Sequence, residues 1–337
     1  MFKKLFILFS SIFFALLIGE AIVRHYKLSP VMLDSHIVDS MYFDRNPNIC
    51  YRMKPNSYNG LNKDGFRDNE FALTKLKDTI RIIMLGDSIT FGVPADKEHT
   101  FAQLLEKNLK EKNQLAYDVM NLGIPGYNIV SEVELLKVFG IKYKPDIVIL
   151  NFFWNDSDLY PYTYYDFFWD RDGTPAQKRW TQRYYSSTYL NLKRYFLRSH
   201  LFSLLLSALD KIKDTNNFEL GKYKNRRIDN DSSLLDKKIA ELNTLAIKHN
   251  FKLLICLHPV FDYDTAKAHS NYKKLKDIAR QLNIAFIDLL PFYIRESADP
   301  RIFIENPKDT FHPNTKGHEL IARILAEKLK ELKWIEN

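Results

Sequence analysis

From residue 76 onward, short apolar segments alternate with longer amphipathic ones, and this alternation constrains the fold more than any other feature. The apolar segments are bounded by turn residues, which is typical of strands buried on both faces of a sheet. Five strands are predicted, at residues 80–85, 117–121, 146–153, 251–257 and 284–287. Helical patterns start at Thr100 and cover residues 131–139, 272–282 and 315–332. The alternation predicts a three-layer α/β/α fold with a central parallel sheet.

The first 25 residues form a separate apolar run. Lys3 and Lys4 precede it and, Glu20 aside, it extends to Val23, about the 20 residues that a bilayer requires. No Ala-x-Ala cleavage site is visible, so we interpret residues 1–25 as a transmembrane signal anchor. The basic start predicts an anchor in the cytoplasmic membrane with the rest of the chain on the extracytoplasmic side. The alternatives are a cleaved signal peptide, which would leave a secreted or periplasmic protein, and a helix of a soluble protein.

Two further parts of the chain lie outside the alternation. Residues 26–75 are polar and irregular, and they predict a linker or a flap packed on the domain formed by residues 76–337. An insertion at about residues 157–232 is rich in aromatic residues and later alternates basic residues with leucines. We interpret it as a helical subdomain with its own packing. The alternative is a lid or an acyl-binding wall near the site, in contact with the membrane.

Charge and cysteine content exclude several classes of function. The net charge is +8, but the excess lysines are scattered along helices and indicate a solvated surface, so no nucleic-acid partner is predicted. Attraction to a membrane surface is the alternative. Cys50 and Cys256 cannot form a disulfide framework, and no cysteine–histidine pattern suggests zinc. Asp156 and Asp158 lack further ligands at metal-binding spacing, so no metal site is predicted.

Residues with catalytic chemistry follow the predicted strands in order. Ser88 follows the first strand, Gly126 the second and Asn155 the third, while Asp309 and His312 precede the last helix. In open α/β sheets, ligands bind at the carboxyl ends of the strands. A serine becomes a nucleophile when a histidine takes its proton and a carboxylate orients that histidine. The pattern therefore points to a serine hydrolase or an acyltransferase.

Each of these residues has a predicted role. Asp309 lies three residues before His312 and can reach its Nδ1, which leaves Nε2 free to act as a base for Ser88. The Ser88 amide at a helix N-terminus, the Gly126 amide and the Asn155 side chain can together stabilise an oxyanion. The expected chemistry needs no cofactor and no metal.

Other polar residues offer competing interpretations. Asp96 and His99 repeat the Asp-x-x-His spacing, but their polar surroundings favour an exposed turn. His258 follows a strand and is expected to have a structural or substrate-contacting role. His318 lies inside the last helix and is expected on the surface. Asp87 is expected to fix the turn before the serine by hydrogen bonding.

Four blocks resemble the SGNH/GDSL hydrolase family, whose fold is three-layered and flavodoxin-like. They are Gly86-Asp87-Ser88-Ile89-Thr90, Asn121-Leu122-Gly123-Ile124-Pro125-Gly126, Phe153-Trp154-Asn155-Asp156 and Asp309-Thr310-Phe311-His312. The resemblance covers roughly residues 76–335 and implies Ser88 as nucleophile and Gly126, with Gly123 second, as the oxyanion glycine. Phe153 stands where the family often has glycine. The segment Asn62–Arg67 also resembles one that precedes the domain in membrane-anchored members.

The predicted site is that of an acyl ester hydrolase, and a small-molecule or glycan acyl ester is the expected substrate. The substrate preference of the family does not simply transfer to this chain, because Phe153 departs from the family pattern. An envelope O-acyltransferase would use the same site with a sugar hydroxyl in place of water. An anchored binding protein that has lost turnover is a further alternative, although the intact Ser88, Asp309 and His312 argue against it.

Overall fold

The computed structural model describes residues 2–26, 41–43, 49, 51–57, 60–112, 116–157, 199, 201–202, 204–205, 234–261, 266–306 and 309–336. The chain divides into two compact units. One comprises Met1–Asp39 and Tyr165–Asp229, and the other comprises Ser40–Tyr164 and Asn230–Asn337. The aromatic cluster at residues 160–169 and nearly all of the predicted insertion lie outside the described residues.

The first unit contains the apolar helix α1, Phe2–His25. It is long and apolar enough to cross a bilayer, a property that a signal sequence shares. Glu20 interrupts its apolar surface, but its carboxylate accepts hydrogen bonds from Ser199 Oγ at 2.7 Å and Leu201 N at 2.9 Å. Arg24 pairs with the same carboxylate at 2.6 Å. These contacts compensate a charge that would be costly in an apolar environment.

The second unit contains the predicted parallel sheet, and all five predicted strands are present. They are β3 (Thr79–Leu85), β4 (Ala116–Asn121), β5 (Ile147–Phe152), β6 (Lys252–Leu257) and β7 (Ala285–Asp288). Their spatial order is β4-β3-β5-β6-β7, and every neighbouring pair is parallel. Two short antiparallel pairs accompany the sheet: β1 (Met41–Phe43) with β2 (Tyr51–Met53), and β8 (Ile304–Asn306) with β9 (Asp309–Pro313).

Helices of the same unit flank the sheet. They are α2 (Ser88–Phe91), α3 (Phe101–Lys112), α4 (Ile129–Leu135), α5 (Leu234–His249), α6 (Ala266–Gln281), α7 (Leu290–Glu296) and α8 (Thr315–Glu331). The fold is therefore the predicted three-layer α/β/α arrangement. The helix predicted at 131–139 begins earlier, because Asn128 Oδ1 caps it by accepting from Ser131 N at 3.1 Å.

Burial on both faces explains why the sheet is parallel. Ile82 and Met84 point into a core shared with side chains of α3 and α8, while Ile83 and Leu85 alternate with them and are equally buried. A strand with apolar side chains on both faces needs a helical layer on each side. Crossover helices between parallel strands supply those layers.

The strand order locates the crevice where ligands bind in this class of fold. In chain order the five strands run 2-1-3-4-5 across the sheet, so the connections from β3 and β5 diverge at their carboxyl ends. Ser88 follows β3 by three residues, and Asn155 follows β5 by the same number. Both residues therefore lie at the topological switch point of the sheet.

Candidate active site

The turn after β3 presents Ser88 at the start of a helix. A Cβ at Gly86 would lie 2.1 Å from Thr90 Oγ1, so only glycine allows this close turn. Asp87 caps α2, because its Oδ1 accepts from Ile89 N at 2.9 Å. This is the turn-fixing role that the sequence predicted for Asp87. Ser88 is consequently the first residue of α2, and its amide N–H lies at the positive end of the helix.

Ser88 and His312 come together although they are 224 residues apart in the chain. Ser88 Oγ and His312 Nε2 are separated by 2.8 Å, within the hydrogen-bond range that a nucleophile and its general base require. Ser88 is 7% exposed and His312 is 6% exposed. The hydroxyl can therefore pass its proton directly to the imidazole in a site largely closed to water.

The segment carrying His312 is fixed by its junction with α8. Asn314 N donates to Phe303 O at 2.9 Å, and Asn314 Oδ1 caps α8 by accepting from Gly317 N at 3.0 Å. A Cβ at Gly317 would lie 2.4 Å from Phe303 O, so the glycine permits the two segments to approach. His312 is thus held between a short strand pair and a capped helix.

Phe153, which departs from the usual glycine, is a packing residue. It is 1% exposed, and its ring centroid lies 5.1 Å from that of Phe311. The Phe311 ring in turn lies 4.4 Å from the His312 imidazole. Phe153 therefore packs against Phe311, the residue whose ring contacts His312.

Asp309 lies in β9, but its side chain is outside the described part of the structure. The role of this carboxylate in orienting His312 therefore stays a prediction. The competing pair is placed elsewhere: Asp96 and His99 are both exposed.

Asn155 contacts the residue next to the serine. Its Nδ2 donates to Asp87 Oδ2 at 3.2 Å, which brings the turns after β3 and β5 together. A primary amide has two N–H groups, so one remains for another acceptor. Burial raises the pKa of Asp87, while the Ile89 amide, His312 and Asn155 act in the opposite direction. Asp87 is an anchor for the Asn155 side chain.

Glu132 is a buried carboxyl that the sequence did not single out. It is 1% exposed, and among the described residues neither of its carboxyl oxygens receives a hydrogen bond. Burial, and secondarily the negative charge of Asp87, raises the pKa of Glu132 well above its ordinary value. The neutral acid is therefore favoured, because two ionised carboxylates in this buried region would repel each other.

The two candidate oxyanion glycines differ in their hydrogen bonding. Gly123 N donates to Asn121 Oδ1 at 2.9 Å, and a Cβ at Gly123 would lie 2.3 Å from Phe91 N. Gly123 is therefore needed for close packing of the backbone, and its N–H is already hydrogen-bonded to Asn121. Gly126 has φ +77°, and within the described ranges its N–H meets no acceptor.

Two further histidines lie buried in this unit. His258 Nε2 is 3.3 Å from Asn151 Oδ1, and burial lowers the pKa of His258 to about 3. This core contact agrees with the structural role expected for His258. The expectation of a surface position for His318 is wrong, since it is fully buried and its Nδ1 accepts from Phe101 N at 3.3 Å. Spacing would have signalled this, because His318 lies seven residues before Leu325 on the apolar face of α8.

These features define a class: a parallel α/β protein with a buried serine–histidine pair at the switch point of its sheet. The profile of the GDSL-like lipase/acylhydrolase family matches residues 84–320, which is more than half of the chain. The chain belongs to this family of hydrolases, which includes esterases and lipases, and the resemblance seen in the sequence is confirmed.

Several solved structures are similar to this chain. TesA is 15% identical, and the match covers 75% of this chain and 99% of TesA with a TM-score of 0.45. The lipase/acylhydrolase from Enterococcus faecalis is 16% identical, with coverages of 75% and 96% and a TM-score of 0.44. Axe2, an acetylxylan esterase from Geobacillus stearothermophilus, is 16% identical, with coverages of 75% and 96% and a TM-score of 0.43. Comparison with curated protein sequences gave no match.

The buried histidines predict a pH dependence of stability. Burial lowers the pKa of His318 to about 3, below the ordinary 6.5, so between these values the unfolded state binds the additional proton. The contribution of the neutral His318 to the free energy of unfolding is therefore fully present above pH 6.5. It is lost as the pH falls toward 3, by up to about 1.4 kcal/mol per pH unit. His318→Asn keeps an acceptor for Phe101 N but cannot titrate. The free energy of unfolding in urea should fall less between pH 7 and pH 5 for the variant than for wild type. An equal fall in the two proteins would contradict the lowered pKa of His318.

Proposed function

We propose that this protein is a serine-dependent acyl ester hydrolase in which Ser88 is the nucleophile, His312 the general base and Asp309 the residue that orients His312. The observation that carries the proposal is the 2.8 Å hydrogen bond between Ser88 Oγ and His312 Nε2. Membership in a family of acylhydrolases supports the reaction class.

The reaction proceeds by acyl transfer through a serine ester. His312 Nε2 takes the Ser88 proton as Oγ attacks the ester carbonyl carbon, and the resulting imidazolium gives that proton to the departing alcohol. Water then attacks the acyl-serine with His312 again as base, which releases the acid and restores the hydroxyl. Asp309 holds the neutral imidazole in the tautomer that leaves Nε2 free, and it stabilises the imidazolium once that has formed.

The oxyanion that forms during each attack needs donors placed in advance. The Ser88 N–H at the start of α2, the Gly126 N–H and the second N–H of Asn155 are proposed to supply them. The occupied amide of Gly123 supports the choice of Gly126. The bond from Asn155 to Asp87 fixes the asparagine before substrate arrives, which is the condition for effective electrostatic stabilisation.

The acyl acceptor, water or a sugar hydroxyl, distinguishes the proposed hydrolase from an acyltransferase. If a sugar hydroxyl attacks the acyl-serine instead of water, the same residues make an envelope O-acyltransferase. The proposed substrate is a small-molecule or glycan acyl ester. Analysis of products with and without an added glycan separates the outcomes, because a transferase yields acylated glycan in place of free acid.

α1 is proposed to anchor the protein in the cytoplasmic membrane with the catalytic residues outside. The length and apolar surface of α1 and the basic residues Lys3 and Lys4 support this placement. The protein should stay with membranes through carbonate extraction, and protease added to intact spheroplasts should digest the chain beyond α1. Release into the soluble fraction, or complete protection from the protease, would contradict the proposal.

Kinetics on short-chain p-nitrophenyl esters test the site directly. Ser88→Ala and His312→Ala should each reduce the kcat of the detergent-purified full chain by more than about 1,000-fold, since nucleophile and base act as one unit. Asn155→Ala should reduce kcat by about 100- to 1,000-fold, the usual effect of removing one oxyanion donor.

The exposed His99 provides the matched control for His312. His99→Ala should retain the wild-type kcat, because it lies outside the proposed site. Loss of activity in His99→Ala with full activity in His312→Ala would instead identify Asp96 and His99 as the working pair. A Ser88→Ala variant as active as wild type would overturn the proposed mechanism.

A further inference from the structure

The segment preceding β3 contains a tight turn that we call the strap, residues 61–68. Asn62 Oδ1 accepts from Asp64 N and Phe66 N, at 3.0 Å each, which closes the turn. Gly65 has φ +80°, and a Cβ there would lie 2.3 Å from Met53 O. The strap is therefore a specific, closely packed structure, and it ends with two consecutive charged residues that are buried.

The first of these residues, Arg67, binds the chain where the nucleophile helix ends. Its Nη1 donates to Gly92 O at 2.9 Å and to Phe91 O at 3.2 Å, and its Nη2 donates to Ala95 O. Arg67 is only 5% exposed. The last carbonyls of a helix have no partners within the helix, and a cation at this end is electrostatically favourable. One guanidinium thus holds three carbonyls, one at the end of α2 and two in the turn that follows it.

The second residue, Asp68, binds the end of β4, just before the loop that carries Gly126. Asp68 Oδ2 accepts from Asn121 N at 2.6 Å. Asn121 then bridges the two active-site segments, because its Nδ2 donates to Thr90 O at 2.8 Å while its Oδ1 accepts from Gly123 N at 2.9 Å. The strap therefore contacts α2 directly and the loop with Gly126 through Asn121.

The short length of α2 makes these contacts consequential. The helix has four residues, so Phe91 lies about 4.5 Å along the helix axis from Ser88. A single turn has little stability of its own and keeps its position through tertiary contacts. A shift of the Phe91 and Gly92 carbonyls would therefore move Ser88 relative to His312. A misplacement of about 1 Å can reduce catalysis by about 100-fold.

We infer that Arg67 is a positioning residue for the reaction: its guanidinium holds the end of α2 so that Ser88 Oγ stays within reach of His312. The inference rests on the proposed function of Ser88. Arg67 acts through the backbone of α2, because its guanidinium donates to the carbonyls of Phe91 and Gly92. The role requires the planar fork of arginine, because the ammonium of lysine cannot reproduce three donors in this geometry.

Arg81 provides a matched control. It is also buried, at 1% exposure, and its Nη1 donates to Tyr143 O at 2.7 Å while its Nη2 pairs with Asp118 at 2.9 Å. It lies near the start of β3, about 13 Å along the strand from Leu85, where the strand ends before the turn to Ser88. The Arg81→Ala substitution removes a comparable set of buried hydrogen bonds but leaves the contacts between Arg67 and the end of α2 in place.

The test compares Arg67→Ala, Arg67→Lys and Arg81→Ala in the detergent-purified full chain, with kcat and KM for p-nitrophenyl acetate and with thermal unfolding of each. Arg67→Ala should lower kcat by at least about 10-fold with KM changed less than about threefold, and Arg67→Lys should lie between it and wild type. Guanidinium ion at tens of millimolar should restore part of the Arg67→Ala rate. Arg81→Ala should unfold at a lower temperature but keep kcat within about threefold of wild type and gain nothing from guanidinium.

Two results would overturn the positioning role. One is wild-type kcat in folded Arg67→Ala or, if that variant does not fold, in Arg67→Lys. The other is an equal loss of kcat in Arg81→Ala, which would show a general effect of removing a buried arginine. Failure of the proposed function looks different: wild type itself would hydrolyse no ester, or Ser88→Ala would be as active as wild type.

Discussion

The hydrogen bond between Ser88 and His312 is the interaction on which the site depends. It joins the turn after the first strand of the sheet to the segment before the last helix, so it forms only when the whole catalytic unit has folded. The surrounding structure fixes both partners independently. Gly86 and Asp87 set the position of the serine, and the capped N-terminus of α8 sets that of the histidine. A short hydrogen bond between two separately fixed side chains is a preorganised arrangement.

Buried polar contacts extend this order to the remaining segments. Asp87 links the turns after β3 and β5 through Asn155, and the strap links α2 to the end of β4. Tyr51 adds another link, since its hydroxyl donates to Pro125 O at 2.7 Å beside Gly126. Each of these groups would be costly to bury alone, so each contact also selects one arrangement of the site. Stability and catalytic geometry are consequently supported by the same contacts.

Much of this arrangement could be predicted because it depends on local patterns. Apolar segments with turn residues at their ends identified all five strands, and the carboxyl ends of parallel strands meet at one edge of a sheet. That rule alone places Ser88 and Asn155 near one another. The family resemblance favoured Gly126 over Gly123, and only the structure shows that the Gly123 amide already has an acceptor.

The remainder depends on contacts between distant segments, which one-dimensional patterns do not encode. Arg67 and Glu132 look like ordinary surface charges in the sequence, yet both are buried. His318 is a different case, because its spacing from Leu325 already places it on the apolar face of α8 and only its polar character suggested exposure. In each case tertiary packing outweighed the intrinsic preference of the residue type.

An activated serine nucleophile reacts with a fluorophosphonate, so mapping of the covalent adduct tests whether Ser88 has this role. The full chain would be treated with a fluorophosphonate probe, digested and analysed by mass spectrometry. We expect one phosphonylated serine, Ser88, with labelling greatly slowed in His312→Ala and unchanged in His99→Ala. An unlabelled wild type, or an adduct on another serine that persists in Ser88→Ala, would contradict this role.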